Sequence, residues 1–241
     1  MSTVGRSRTS STGSGSRRGG ALSGFVETAI ILALALVLSL LVKTFLVQAF
    51  SIPSGSMEDT LLVGDRVLVS KLTPGPFQLH RGDVVVFKDP GGWLQTVPDT
   101  STGLPHALAA ALTFVGLMPQ DAGEHLIKRV IGLPGDTVTC CDSKHRLTVN
   151  GVDVEETYLR PGNSPSDQPF TVRVQPGHLW VMGDNRSESL DSRFHRGLGA
   201  DGQVPIDNVV GKAFAIVWPF SRFGGVSEPP AVFAKLPGGS S

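Results

Sequence analysis

An excess of charge of either sign is missing from this chain. Its 241 residues carry 21 Lys+Arg against 21 Asp+Glu, a formal net charge of zero, so no global basic field argues for nucleic acid. Cysteine is nearly missing too. The only two, Cys140 and Cys141, are adjacent, which offers too few thiols for a disulfide framework and, with no CxxC or HExxH pattern, no metal site of ordinary ligand spacing. The adjacent pair leaves three states open: a strained vicinal disulfide, two reduced thiols, or one half of an intermolecular bond. Glycine-rich signatures of GxGxxG or GxxxxGK[ST] form are absent, so no cofactor is expected. Internal repeats are absent, and only one hydrophobic run is long.

That run fills residues 25–50, interrupted only by Glu27 and Lys43 near its ends. At about 1.5 Å per helical residue, some 20 residues of it would cross a hydrocarbon core of about 30 Å. A single transmembrane helix over residues 24–48 is the expectation. A cleavable leader is the alternative, but the run is long for a leader's core and no clean small-x-small site follows Gln48-Ala49-Phe50. Residues 1–23 are Ser, Gly, Thr and Arg with little to bury, so a disordered tail is expected. Its charges, Arg6, Arg8, Arg17 and Arg18, place the N-terminus in the cytoplasm and everything after Phe50 outside. Residues 226–241 are broken by Pro229, Pro230 and Pro237, so no second span is expected, and 229–241 reads as a disordered tail.

The 29 glycines and 17 prolines favour short strands joined by turns over a helical bundle. Strands are expected over residues 65–70, 83–88, 125–131, 146–149, 170–174, 178–182 and 209–217, each β-branched and flanked by Gly, Pro, Asn or Asp. Asn150-Gly151 between two Val-rich pieces predicts a hairpin with a type I′ turn. The fold class is therefore mainly β: an N-terminal transmembrane helix, then an antiparallel β domain over residues 49–228 with a smaller lobe over about 140–179. Residues 90–123 form a long insertion. Its apolar part, 104–118, fits either a short helix packed on the core or a segment dipping into the lipid interface.

Four stretches carry chemistry: SIPSGSMEDTLLVGDRVLVSK from Ser51, RGDVVVFK from Arg81, HLIKRVIGLPGD from His125 and VMGDNRSESLDSRF from Val181. A serine hydroxyl is a poor nucleophile until a base takes its proton, and the usual base is histidine. None of the six histidines, at 80, 106, 125, 145, 178 and 195, sits in an Asp-paired or GxSxG-like context. Lysine can serve instead if it is neutral near the working pH, which desolvation favours. With a strand period of two, Leu126, Lys128 and Val130 share one face while Arg129 points to the other. Lys128 is thus flanked by apolar neighbours. From the local pattern alone, a charged strand residue is more often solvated, and an S-x-S turn more often satisfies its own backbone.

The four stretches, in this order across residues 50–218, resemble the type I signal peptidases, membrane-anchored serine proteases that cut leader peptides from exported proteins. The resemblance implies a signal peptidase or LexA-like fold. It makes Ser56 the nucleophile and Lys128 the general base, with Ser54 helping the Ser56 amide hold the oxyanion. Ser189 falls where the family has a hydroxyl bonded to the base. Asp191 and Arg193 match a buttressing pair, Asp184 lies in the turn that brings Ser189 in, and the box at Arg81 is architectural. Phe50, Ile52, Pro53, Met57, Leu61, Leu126 and Ile127 would surround the substrate, which needs small residues at the first and third positions before the cut. The substrate strand would pair with edges near Ile52 and Ile127. Asp59 stands where many relatives carry proline, a departure that bears on the local turn.

The implied activity is endoproteolytic removal of signal peptides, through an acyl-enzyme, at the outer face of a bacterial cytoplasmic membrane. Its partners would be preprotein signal peptides, the lipid bilayer and the secretion translocon, with no nucleic acid, metal or cofactor. Two other classes share these features: a self-cleaving LexA-like Ser-Lys peptidase, which would need a DNA-binding domain where residues 25–50 stand, and a non-enzymatic membrane-anchored β binding module.

Overall fold

A computed structural model of the chain describes residues 19–94, 125–226, 233 and 236. The expectations for residues 1–18, for the insertion from 95 to 124 and for the rest of the C-terminal tail lie outside these residues. The chain divides into two compact units, one running to Leu41 and one from Val42.

The described part of the first unit is helical, and the helix α1, Gly19–Phe45, ends within the second. Leu and Ala, which dominate it, are strong helix formers. Gly24–Val42 is long and apolar enough to cross a membrane, with mean hydropathy 2.6 and none of that stretch buried. The observed bounds correct the expected ones at both ends. Residues 19–23, expected in the disordered tail, are helical, and residues 46–48, expected in the anchor, are not. Pairing decides the second boundary: Val47–Ser51 is a strand, β1, in register with Arg66–Ser70, β2.

The second unit is built from two antiparallel sheets. Eight strands form the larger: β1, β2, β3 (Val84–Lys88), β4 (His125–Gly132), β9 (His178–Met182), β10 (Val204–Pro205), β11 (Val209–Trp218) and β12 (Gly224–Gly225). Their order is β1-β2-β11-β3-β4-β9-β10, with β12 paired to β11. The smaller sheet has the order β7-β6-β5-β8, from β5 (Thr137–Cys140), β6 (Leu147–Val149), β7 (Val152–Val154) and β8 (Phe170–Arg173). The lobe thus begins earlier than residue 140 and ends before β9, which belongs to the larger sheet. The β6–β7 hairpin turns at Asn150 and Gly151 with φ of 53° and 79°, the paired positive values that a type I′ turn needs. Of the three states left open for the cysteines, the vicinal disulfide is the one seen.

Packing explains why β3 reads as an unbroken apolar run. Val84 and Val86 face a core with Phe50, Ile52, Met57, Leu61, Val67, Val69 and Ile127. Val85 and Phe87 face another with Leu79, Trp93, Val130, Leu179 and Val181. Both faces of this part of the sheet are covered, so alternation of apolar with polar disappears. A third core joins the two sheets around Trp180, Met182 and Ile131, and it includes Phe233 and Leu236. These two residues, expected in a disordered tail, are buried, with Phe233 stacked on Tyr158.

Candidate functional site

Beyond β1 the chain passes Ile52 and Pro53 into a short 3-10 turn, Gly55–Met57. Met57 is fully buried and its carbonyl accepts the Leu61 amide at 2.8 Å, so the turn is pinned to the core just past Ser56. The segment after β9 pins it from the other side. The Asn185 amide donates to the Ser56 carbonyl at 3.1 Å and its side-chain amide to the Gly55 carbonyl at 3.0 Å. Gly183 is required for this approach: a Cβ there would lie 2.4 Å from the Ser56 carbonyl oxygen and 2.3 Å from Ser189 Oγ.

Lys128 reaches the turn from β4. Its Nζ donates to Ser56 Oγ at 2.7 Å and to the Ile127 carbonyl at 3.0 Å. Ser56 and Lys128 are 5% and 4% exposed. Burial disfavours the ammonium and lowers the Lys128 pKa to about 8, against the opposing pull of Asp191 and Asp184. Ser54 is exposed and its hydroxyl donates to Ser56 Oγ at 3.5 Å.

Arg129, the next residue, points away from Lys128's neighbours as alternation predicts, but it is fully buried. Its Nε and Nη2 clasp the Asp184 carboxylate at 2.8 and 2.6 Å, its Nη1 donates to the Gly82 carbonyl at 2.7 Å, and Tyr158 lies under its guanidinium. Thr60, just past the serine turn, adds its hydroxyl to Asp184. Asp184 therefore anchors the serine turn, β4 and the glycine segment together. Asp191 does the same one turn further on. It accepts from the Gly183 amide at 3.0 Å and from Arg193 Nε and Nη2 at 2.9 Å each, while Arg193 also donates to the Arg186 carbonyl. Burial works to raise the Asp191 carboxyl, yet Arg193 and the Gly183 amide hold it below its usual range. Arg81, in the strand-starting box, makes a bidentate pair with Asp136 at 2.7 and 2.6 Å.

Ser189, expected to bond the lysine amine, makes no such bond in this structure: its buried hydroxyl turns to the Asp191 carboxylate, whose pKa it helps to lower. The substrate-wall residues do not form one set. Phe50, Ile52, Met57, Leu61 and Ile127 share a single buried cluster, whereas Leu126 packs in the core on the other side of β3 and β4, and Pro53 is exposed. Alternation along β4 is the reason. Sequence reasoning missed Arg129 and Thr60 as site supports. For Arg129, the two-sided apolar character of β3 was a usable clue that its face would also be covered. Among the described residues no group of three or more His, Cys, Asp or Glu could hold a metal.

A serine hydroxyl held against a buried amine is an arrangement that nucleophilic catalysis can use. The family model described as signal peptidase, peptidase S26, matches residues 25–218. A probable signal peptidase I of Mycobacterium leprae is 41% identical over 231 residues, covering 84% of this chain and 79% of its own. Signal peptidase I of Mycobacterium tuberculosis is 40% identical over 222 residues, covering 82% and 74%. Among solved structures, a signal peptidase I from Enterococcus faecalis aligns at 26% identity over 56% of this chain and 97% of that one, with a TM-score of 0.36. With most of its length matched by the family and by relatives at 40 and 41% identity, the chain belongs to the signal peptidase family, peptidase S26.

Proposed function

We propose that this chain is a membrane-anchored type I signal peptidase that removes signal peptides from exported preproteins with a Ser56–Lys128 dyad. The observation that carries the mechanism is the 2.7 Å contact between Lys128 Nζ and Ser56 Oγ, made by an amine that no carboxylate touches and whose pKa is lowered to about 8. Neutral Lys128 takes the Ser56 proton as the oxygen attacks the scissile carbonyl. The Ser56 amide and the Ser54 hydroxyl hold the resulting oxyanion, donors worth roughly 2.7 to 4 kcal/mol each where they have been removed. The Lys128 ammonium then gives its proton to the leaving amine, the C–N bond breaks, and the acyl-enzyme remains. Water, deprotonated by the same lysine, adds to the ester and releases the signal peptide with its new carboxylate. Ser189, next to Gly183, is available to orient the amine once a substrate shifts the site.

The substrate lies extended beside Ile52 and Ile127, adding a strand between the two. Helix α1 anchors the chain in the bacterial cytoplasmic membrane, with residues 1–18 cytoplasmic and the chain from residue 49 outside, beside the translocon from which its substrates emerge. Incubating the detergent-solubilised full chain with a preprotein tests the reading. Wild type cleaves after a small-x-small site, while Ser56→Ala and Lys128→Ala leave the preprotein intact; equal processing by all three would remove the enzyme.

A further inference from the structure

Two members of the core that joins the sheets come from the far end of the chain. Phe233 and Leu236 are 6% and 7% exposed, and the Leu236 amide donates to the Phe233 carbonyl at 3.2 Å, so one turn sets both. Against this core packs Tyr158, the only tyrosine in the sequence, with its ring 6.0 Å from that of Phe233 and 28° from parallel. The same ring carries the Arg129 guanidinium, 4.4 Å from its centroid. Its hydroxyl donates to Glu156 at 2.6 Å, and Glu156 is paired with Arg186, both side chains buried. Tyr158 therefore stands where the C-terminal segment meets two arginine clamps of the site.

A ring face attracts a guanidinium and keeps water from it. Arg129 so shielded spends its donors on Asp184 and the Gly82 carbonyl. Water admitted beside Arg129 would compete for those donors and screen the pair, leaving more of the Asp184 charge to act on its other cationic neighbour, Lys128. We propose that Phe233 and Leu236 are positioning residues for the reaction: they hold Tyr158 against Arg129, so that Arg129 stays on Asp184 and the Asp184 charge stays off Lys128. This rests on the peptidase reading above.

The charged groups around both ends of this relay fix the sign of its effect. Tyr158 faces Glu156, Arg186, Arg129 and Asp184, and burial, then Glu156, push its phenol well above the ordinary value of 10.0. Lys128 faces Asp191 and Asp184. Asp191 has its own clamp in Arg193, so a disturbance at Tyr158 reaches the lysine through Asp184. A less compensated Asp184 favours the ammonium. The acidic limb of kcat/KM, where Lys128 loses its proton, would then move to higher pH.

Two readouts on the full-length chain in detergent test this: preprotein cleavage across pH, and the near-ultraviolet absorbance of the single tyrosine during alkaline titration. In wild type the phenol resists ionisation until the chain unfolds. In the double variant Phe233→Ala, Leu236→Ala it titrates near the ordinary value of about 10, and the acidic limb moves up by a fraction of a unit to about one unit. Phe233→Leu, the milder change, shifts both readouts in the same direction. Tyr158→Leu moves the limb likewise, and Tyr158→Phe, which keeps the ring, returns it to the wild-type position. Val149→Ala, a cavity elsewhere in the same core, lowers stability and leaves the limb in place. Limb position is a property of the active molecules, so a loss of folded enzyme does not move it. An active Phe233→Leu or double variant with the wild-type limb, or a Val149→Ala limb that moves as far, overturns the proposal. A wild-type chain that cleaves no preprotein overturns the peptidase reading itself, and the positioning role with it.

Discussion

Lys128 and Arg129 are consecutive residues on one strand, both cationic by type and both buried, yet the protein treats them in opposite ways. Arg129 is surrounded by acceptors: two oxygens of Asp184, the Gly82 carbonyl, and an aromatic face beneath. Lys128 receives one hydroxyl and one carbonyl. The nearby carboxylates Asp184 and Asp191 are each clasped by an arginine of their own. A guanidinium cannot lose its charge in a protein and so must be compensated when buried. An ammonium can, and withholding a partner is how burial makes it a base. The two residues show one strand dividing its cations into a fixed clamp and a proton carrier.

The sharpest way to break this contrast is to remove the carrier. Lys128→Met and Ser56→Ala should each lower kcat on a preprotein by at least about 10⁴-fold, the scale seen when a nucleophile or its base is deleted. A rate assay with matched protein amounts reads it. Lys128→Arg, which preserves charge but cannot be neutral, should be no better than Met.

Removing the clamp should act on the other property. Arg129→Met leaves Asp184 buried with only Thr60 beside it, and breaking such a pair costs about 3 to 5 kcal/mol. Denaturant unfolding of the variant should show a loss of that size. A loss below about 1 kcal/mol would mean the pair is no anchor and that the serine turn is held chiefly by Asn185 and Met57.

How much of this was legible beforehand follows from the same strand. The alternation of HLIKRVIG gave the direction of Lys128 and Arg129, because a period of two survives whatever packs above and below. What alternation cannot report is cover, and both faces of β4 turned out to be covered. The Asn150-Gly151 hairpin was readable since its turn chemistry is local. The Phe50–His125 approach was not, because it depends on the coiling of strands far apart in sequence. The burial of Phe233 and Leu236 escaped for a related reason: a Pro- and Gly-rich tail looks solvated until a distant core offers it a place. Ser189 shows the reverse case, where a family-based expectation of a bond to the lysine meets a hydroxyl turned to Asp191.

A smaller effect separates the costs of the two cations. A folded value of about 8 against the ordinary lysine value of 10.5, at roughly 1.4 kcal/mol per pH unit, makes the buried amine a liability on the order of 3 kcal/mol. The unfolded chain binds the proton more tightly, so this penalty is fully present below pH 8, shrinks as pH rises, and is gone above about 10.5. Lys128→Met should therefore be more stable than wild type at neutral pH, by up to that order, and the gain should fade between those two values. A gain that did not fade with pH would come from packing and not from the charge.

The finest test lies in the pH profile. Since only neutral Lys128 can take the serine proton, kcat/KM should rise with pH along a limb centred near its lowered value of about 8. Asp191 is the larger of the two carboxylate influences opposing that lowering. Asp191→Asn removes its negative charge and leaves the Arg193 cation unneutralised beside the site, and both changes disfavour a second positive charge on Lys128. The acidic limb should move to lower pH, by a fraction of a unit to about one unit. Asp184→Asn should move it in the same direction by less, since Asp184 exerts the smaller pull. A limb that stayed fixed in both variants while activity persisted would mean that Lys128 does not feel the carboxylates its neighbours hold, and that burial alone sets its basicity.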